Sequence, residues 1–229
     1  MRLDRFISET TGLSRKESAK VVQSGEVTVD GSVQKKGSFQ VPENAEVIWG
    51  GERLEVLGPV YLMINKPLGC VCANHDSAHM TVFAHLDIPI SDKLHTVGRL
   101  DLDTSGMLLI TDDGKWSHRI TSPKKKCAKV YHAWVSEPLT TENIQAFAEG
   151  LELTGETTLT APAVLEIINE REALVHVHEG RYHQVRRMFA AVGNNVEKLH
   201  REQVGELKLD PDLTPGDYRF LTAEEVALF

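Results

Sequence analysis

The chain has no run approaching the roughly 20 consecutive apolar residues that a membrane-spanning helix needs, so no segment is expected to cross a bilayer. Its first residues, Met1-Arg2-Leu3-Asp4-Arg5, lack the basic start and apolar stretch of a secretory signal. Cysteine is scarce: Cys70, Cys72 and Cys127 are an odd three, which excludes a disulfide framework and fits a reducing, cytoplasmic setting. There is no phosphate-cradling loop, and Cys70 and Cys72 with scattered histidines do not have zinc-ligand spacing, so neither a metal nor another cofactor is expected. A basic excess is missing too. The net charge of −8 argues against a protein that coats nucleic acid indiscriminately. No internal repeat and no low-complexity segment is present.

What remains is an ordinary globular composition, 41% hydrophobic and 25% charged, in 229 residues that suffice for one large or two smaller domains. The cations are unevenly spread. Lys115, Arg119, Lys124, Lys125, Lys126 and Lys129 occur without an intervening acid, and Arg181, His183, Arg186 and Arg187 form a second knot. A charge run is often only a solvated face, but two of them in an acidic chain point to an anionic partner.

Leu3, Phe6 and Ile7 at helical spacing before Gly12 predict a first helix. Ser14-Arg15-Lys16-Glu17 is a capping box opening a second, expected to bury Ala19, Val21 and Val22 and to stop at Gly25. Val27 to Val33 places Asp30-Gly31 between strand formers, a strong hairpin signal, and Glu46 to Trp49 adds a strand. Gly58-Pro59 marks a boundary. Beyond it, strands are expected at 60–64, 107–110, 130–135, 164–168 and 173–178, with helices at 141–149, 182–192 and from Ala223 behind the Thr222/Glu225 capping box. Strands and helices interspersed without βαβ regularity predict an α+β body on a mixed, largely antiparallel sheet with flanking helices.

The densest chemistry lies in Gly98-Arg99-Leu100-Asp101-Leu102-Asp103-Thr104-Ser105-Gly106. One reading is a turn whose Asp103, Thr104 and Ser105 satisfy the backbone. A calcium loop fails because its twelfth position is Asp112 rather than Glu and its second half is apolar. An aspartic protease needs a second carboxylate sharing the proton, and the chain holds no second copy of the motif.

The whole string closely resembles the catalytic motif of RNA pseudouridine synthases, in particular those that modify ribosomal RNA and carry an S4 RNA-binding domain. Asn65-Lys66-Pro67, Lys129-Val130-Tyr131 and the segment Glu179 to Met188, with Gly180-Arg181-x-His183-Gln184, extend the likeness in order. The opening Arg-Leu-Asp-Arg-Phe-Ile and Val-Thr-Val-Asp-Gly resemble the S4 module. The resemblance implies an S4-like RNA-binding domain at 1–57 and a pseudouridine synthase domain at 58–229. Among such enzymes it is most similar to the small-subunit type, which isomerises one uridine (position 516 in the usual numbering) of 16S ribosomal RNA. It implies Asp101 as catalytic carboxylate, Arg186 as its cationic partner, and Tyr131 against a flipped base, with Asp103 left to hydrogen-bond the turn. Arg99, Lys66, Arg181, His183 and Arg187, with Arg15, Lys16 and Lys20 of the second helix, are the expected RNA contacts. A monomer acting on ribosomal RNA or an assembly intermediate is expected. The alternatives are action on large-subunit RNA, or a non-catalytic assembly factor that only holds RNA.

Overall fold

In the computed structural model, which describes residues 1–55, 58–88 and 93–229, the chain divides into two units, Met1–Gly58 and Pro59–Phe229. In the first unit, helix α1 (Leu3–Thr11) turns Leu3, Phe6 and Ile7 inward and ends on a left-handed Gly12. Helix α2 (Arg15–Ser24) starts with the expected box: the Glu17 amide donates to Ser14 Oγ and the Ser14 amide to Glu17 Oε2. It buries Ser18 and Val22, whereas Ala19 and Val21 are only half-buried. Strands β1 (Val27–Val29) and β2 (Ser32–Val33) are joined by Asp30-Gly31, both with positive φ as a tight hairpin turn requires. With β3 (Val47–Trp49) and β4 (Glu52–Leu54) they form an antiparallel sheet in the order β2-β1-β3-β4. Val22, Val27, Val29, Val41 and Val47 complete the core around α1.

The second unit is built on one large sheet. Its elements run β5 (Tyr61–Lys66), β6 (Cys70–Val71), β7 (Met80–Thr81), β8 (His95–Thr96), β9 (Thr104–Thr111), α3 (Gly114–Thr121), β10 (Lys129–Val135), α4 (Thr141–Glu149), β11 (Val164–Asn169), β12 (Glu172–Val177), α5 (Gln184–Ala191), β13 (Val196–Val204), β14 (Leu207–Lys208), β15 (Tyr218–Phe220) and α6 (Ala223–Ala227). The main order is β11-β12-β10-β13-β9-β5-β15; all its neighbours are antiparallel except β13 and β9. Seven of the eight residues of β9 are buried, which is why Met107-Leu108-Leu109-Ile110 reads as a continuous apolar run.

One face of β10, β12 and β13 carries Ala133, Ala173, Val175 and Leu199 against Phe147 of α4 and Val185, Met188 and Phe189 of α5. Burying each large side chain contributes on the order of 1.5–3 kcal/mol. This packing fixes α5, and therefore the basic residues on it. Helix α5 begins at Gln184, two residues later than its pattern suggests, because His183 takes a left-handed backbone with φ of 47°. Besides short strands such as β4 and β15, two longer elements had no sequence signal: α3, and the nine-residue β13, whose residues Val-Glu-Lys-Leu-His-Arg-Glu-Gln-Val are mostly polar. No helix among the described residues is long and apolar enough to cross a membrane.

Candidate active site

The motif around Asp101 forms the loop entering β9, and its backbone is held from below. Lys66, at the end of β5, is fully buried and its Nζ donates to the carbonyls of Pro67 (3.0 Å), Asp101 (3.0 Å) and Thr104 (2.9 Å). The amide of Gly69 donates to Leu102 O at 2.9 Å, and that of Leu100 to Cys72 Sγ at 3.3 Å. Burial pushes the Lys66 ammonium below its ordinary value and the Cys72 thiol above its own. The final glycine of the motif is obligatory for a steric reason. Gly106 pairs with Arg201 across the parallel β9–β13 junction with φ of +107°, and a Cβ there would lie 2.3 Å from the Arg201 carbonyl.

The loop opens into a cavity of about 470 Å³, within the range of roughly 300–1,000 Å³ usual for small-molecule sites. Asp101, Tyr131, His183, Arg186 and Arg201 line it, with Arg99 also on its wall. The Asp101 carboxylate lies 3.3 Å from His183 Nε2. His183 in turn stacks on the exposed ring of Tyr182, the ring centroids 3.9 Å apart. Tyr131 projects from β10 opposite Arg201 of β13, on the same sheet face, and its hydroxyl accepts from Arg201 Nη1 at 3.4 Å.

The arginines depart from the sequence reading. Arg186 does not pair with Asp101. Its Nη2 meets the Asp103 carboxylate and the Asp103 carbonyl, each at 3.0 Å, and its Nη1 donates to Val196 O at 2.9 Å. The fork reaches from α5 over the loop to its nearer acid, so Asp103 binds a guanidinium instead of capping its own turn. Arg181 and Arg187, expected on RNA, both grip Glu156, holding its carboxyl below the usual carboxylate range. They also donate to the carbonyls of Thr154, Thr158, Leu159 and Tyr182. These two side chains staple the 154–159 segment and have few donors left for phosphate. Lys66, also expected on RNA, is buried scaffold.

In the first basic run, Arg119 donates to Phe229 O at 2.7 Å and Lys129 to Cys127 O at 2.8 Å. Lys115, Lys124, Lys125 and Lys126 stay exposed. Arg99 is exposed and without an ion pair among the described residues. In the N-terminal unit Lys16 and Lys20 are exposed, while Arg15 touches the buried Asp4 at 3.2 Å. Two residues absent from the sequence reading enter through β13. His200 Nδ1 and Ser105 Oγ share a hydrogen bond of 2.9 Å, and Arg201 forms the cavity floor. Neither carried a signal while β13 was unrecognised.

The cavity thus combines a carboxylate, a tyrosine and guanidinium groups on a mixed sheet, in a chain whose first unit is a small helix–hairpin module. A family model described as RNA pseudouridylate synthase matches residues 60–191, and one described as S4 domain matches residues 1–47. The chain belongs to the RNA pseudouridylate synthase family, and its activity is the isomerisation of uridine in RNA.

Among curated relatives it is 52% identical over 228 residues to the ribosomal small subunit pseudouridine synthase A of Vibrio parahaemolyticus serotype O3:K6, covering 99% of this chain and 98% of the relative. It is 48% identical over 228 residues to the protein of the same name from Escherichia coli strain K12, covering 99% of each. A crystal structure described as a pseudouridylate synthase superposes with a TM-score of 0.72 at 44% identity, over 100% of both chains.

Proposed function

We propose that the chain converts a single uridine of 16S ribosomal RNA, position 516 in the usual numbering, to pseudouridine, acting as a monomer in the cytoplasm where ribosomes are assembled. Full-length similarity to relatives named for the ribosomal small subunit supports the substrate. The observation that carries the chemistry is Asp101. Its backbone is clamped by Lys66, while its side chain, about a third exposed, opens into the cavity beside Tyr131.

The reaction breaks the C1′–N1 bond, turns the uracil and forms a C1′–C5 bond; the C5 proton is lost and N1 gains one. It is an isomerisation and consumes nothing. An ionised Asp101 attacks the sugar or base, or removes a ribose proton as a glycal forms. His183, as a donor 3.3 Å away, orients the carboxylate. Arg186 fixes the loop through Asp103 and so acts as a positioning residue. Tyr131 supplies a stacking surface for the flipped base, worth about 1–3 kcal/mol by analogy with single-strand binders. Arg99, exposed on the cavity wall, fills the gap that the base leaves or holds a phosphate.

Pseudouridine mapping by carbodiimide labelling and primer extension tests this on small-subunit RNA treated with the purified chain. A single new stop that disappears with Asp101→Asn, while RNA affinity is largely kept, is the expected result. A stop on large-subunit RNA instead would overturn the substrate. Tight binding with no stop on either RNA would leave a binding factor.

A further inference from the structure

The two buried cations of the catalytic unit differ in one respect. Lys66 donates to three carbonyls. Arg201 is only 3% exposed; its Nε donates to Met107 O at 2.8 Å and its Nη1 to the Tyr131 hydroxyl at 3.4 Å, but its Nη2 has no partner. No carboxylate pairs with it among the described residues. A guanidinium does not shed its proton at any working pH, so this charge stays on the cavity floor. A buried, unpartnered donor on a fixed cation is costly, and native folds keep such groups where a ligand completes them.

We propose that the Arg201 guanidinium is the donor to the carbonyl oxygens of the flipped uracil, stabilising the base as it leaves the sugar. When the C1′–N1 bond breaks, its electron pair departs with the base. The resulting uracilate spreads negative charge over N1, O2 and O4, and a preorganised cation at a carbonyl oxygen lowers that barrier. The geometry of the turn adds a second reason. Half a revolution about the N3–C6 axis exchanges N1 with C5 and, at the same time, O2 with O4. A single donor beside Tyr131 therefore meets a carbonyl before and after the turn. Cytosine would present its exocyclic amine to the same donor in one of the two orientations, so Arg201 also selects against it. Lys129, another cation lining the cavity, is committed to Cys127 O and does not substitute.

This rests on the Asp101–Tyr131 cavity being where the uracil sits, and the test separates the two. Small-subunit RNA fragments carry uridine, 2-thiouridine or 4-thiouridine at the mapped position, and single-turnover rates are compared for the full-length wild type, Arg201→Lys and Arg201→Gln. Sulfur is a poor acceptor, so both thio substitutions slow the wild type, by up to about 10²-fold. In Arg201→Gln, whose folding is checked by its melting curve, the thio effect shrinks to within about threefold, because the cationic donor is already gone. The intrinsic effect of sulfur on the leaving group cancels between enzymes, and a purely structural arginine would give losses that multiply. Equal thio effects in wild type and variant overturn the proposal. If neither variant folds, wild-type rates unchanged by both sulfurs do the same. Turnover by Asp101→Asn near the wild-type rate would refute the site itself.

Discussion

The basic residues of the two units are used in opposite ways. In the N-terminal unit Lys16 and Lys20 stand on α2 in open solvent, and the ion pairs of Arg2, Arg5, Arg15 and Arg53 with acids of the same unit leave those arginines exposed. In the catalytic unit Lys66 and Arg201 are buried, and Arg181, Arg186 and Arg187 bend back onto carbonyls and carboxylates. An exposed ammonium is free to meet phosphate and contributes little to the fold. A buried one costs desolvation energy, which is offset only when its donors are satisfied, by the protein or by the substrate. Residues of one chemical type thus stand in solvent in one unit and are drawn into the fold in the other. The arginine-rich motif of α5 turns out to be mostly scaffold.

The sharpest way to break this comparison is Lys66→Met. It keeps the volume but strands three carbonyls and frees the loop carrying Asp101. Stability should fall by about 3 kcal/mol, and the single-turnover rate by about 10²-fold from misplacement alone. Denaturant melts and rates on saturating RNA check both. A variant as fast as wild type would show that the loop holds Asp101 in place without the Lys66 clamp.

His200 gives a smaller, pH-dependent effect. Burial holds its imidazole below the ordinary value of 6.5, and it meets Ser105 Oγ next to the loop. The unfolded chain therefore binds a proton near pH 6.5 that the folded chain refuses. Stability contributed by the neutral ring is fully present above 6.5 and declines as pH falls below it, with a slope of at most about 1.4 kcal/mol per pH unit. His200→Asn should flatten that part of the wild-type melting profile between pH 6.5 and 5. Superimposable profiles would show that the ring takes up its proton in the folded state.

Local rules made much of the fold legible. The Ser14/Glu17 and Thr222/Glu225 boxes, the Asp30-Gly31 hairpin and the helix at 141–149 all formed where their short-range chemistry put them. The Asp101 loop was visible because its composition is dense. The other half of the site was not. β13 is polar along most of its length, and its pairing with β10 slips at Glu202, between Val130–Gln203 and Tyr131–Arg201, which breaks the period-two pattern. Without that strand neither Arg201 nor His200 could be placed. The fate of each arginine depends on Glu156 or Asp103, distant in sequence, and no periodicity reports which acid a guanidinium will reach.

The mildest prediction concerns the exposed side of the comparison. Lys16→Ala and Lys20→Ala remove exposed charges that form no ion pair among the described residues, so melting behaviour should change little. If these ammonium groups meet RNA phosphates, each substitution removes one released counterion and flattens the plot of log affinity against log salt by about 0.7–0.9. Affinity at low salt should drop a few-fold, and the rate at saturating RNA should hold. That separation distinguishes the two units: losses confined to affinity mark a landing surface, and losses confined to rate mark the floor. Titrations of the double variant between 50 and 200 mM salt decide it, and an unaltered slope would take α2 out of the RNA interface, leaving Lys115, Lys124, Lys125 and Lys126 as the exposed cations to examine.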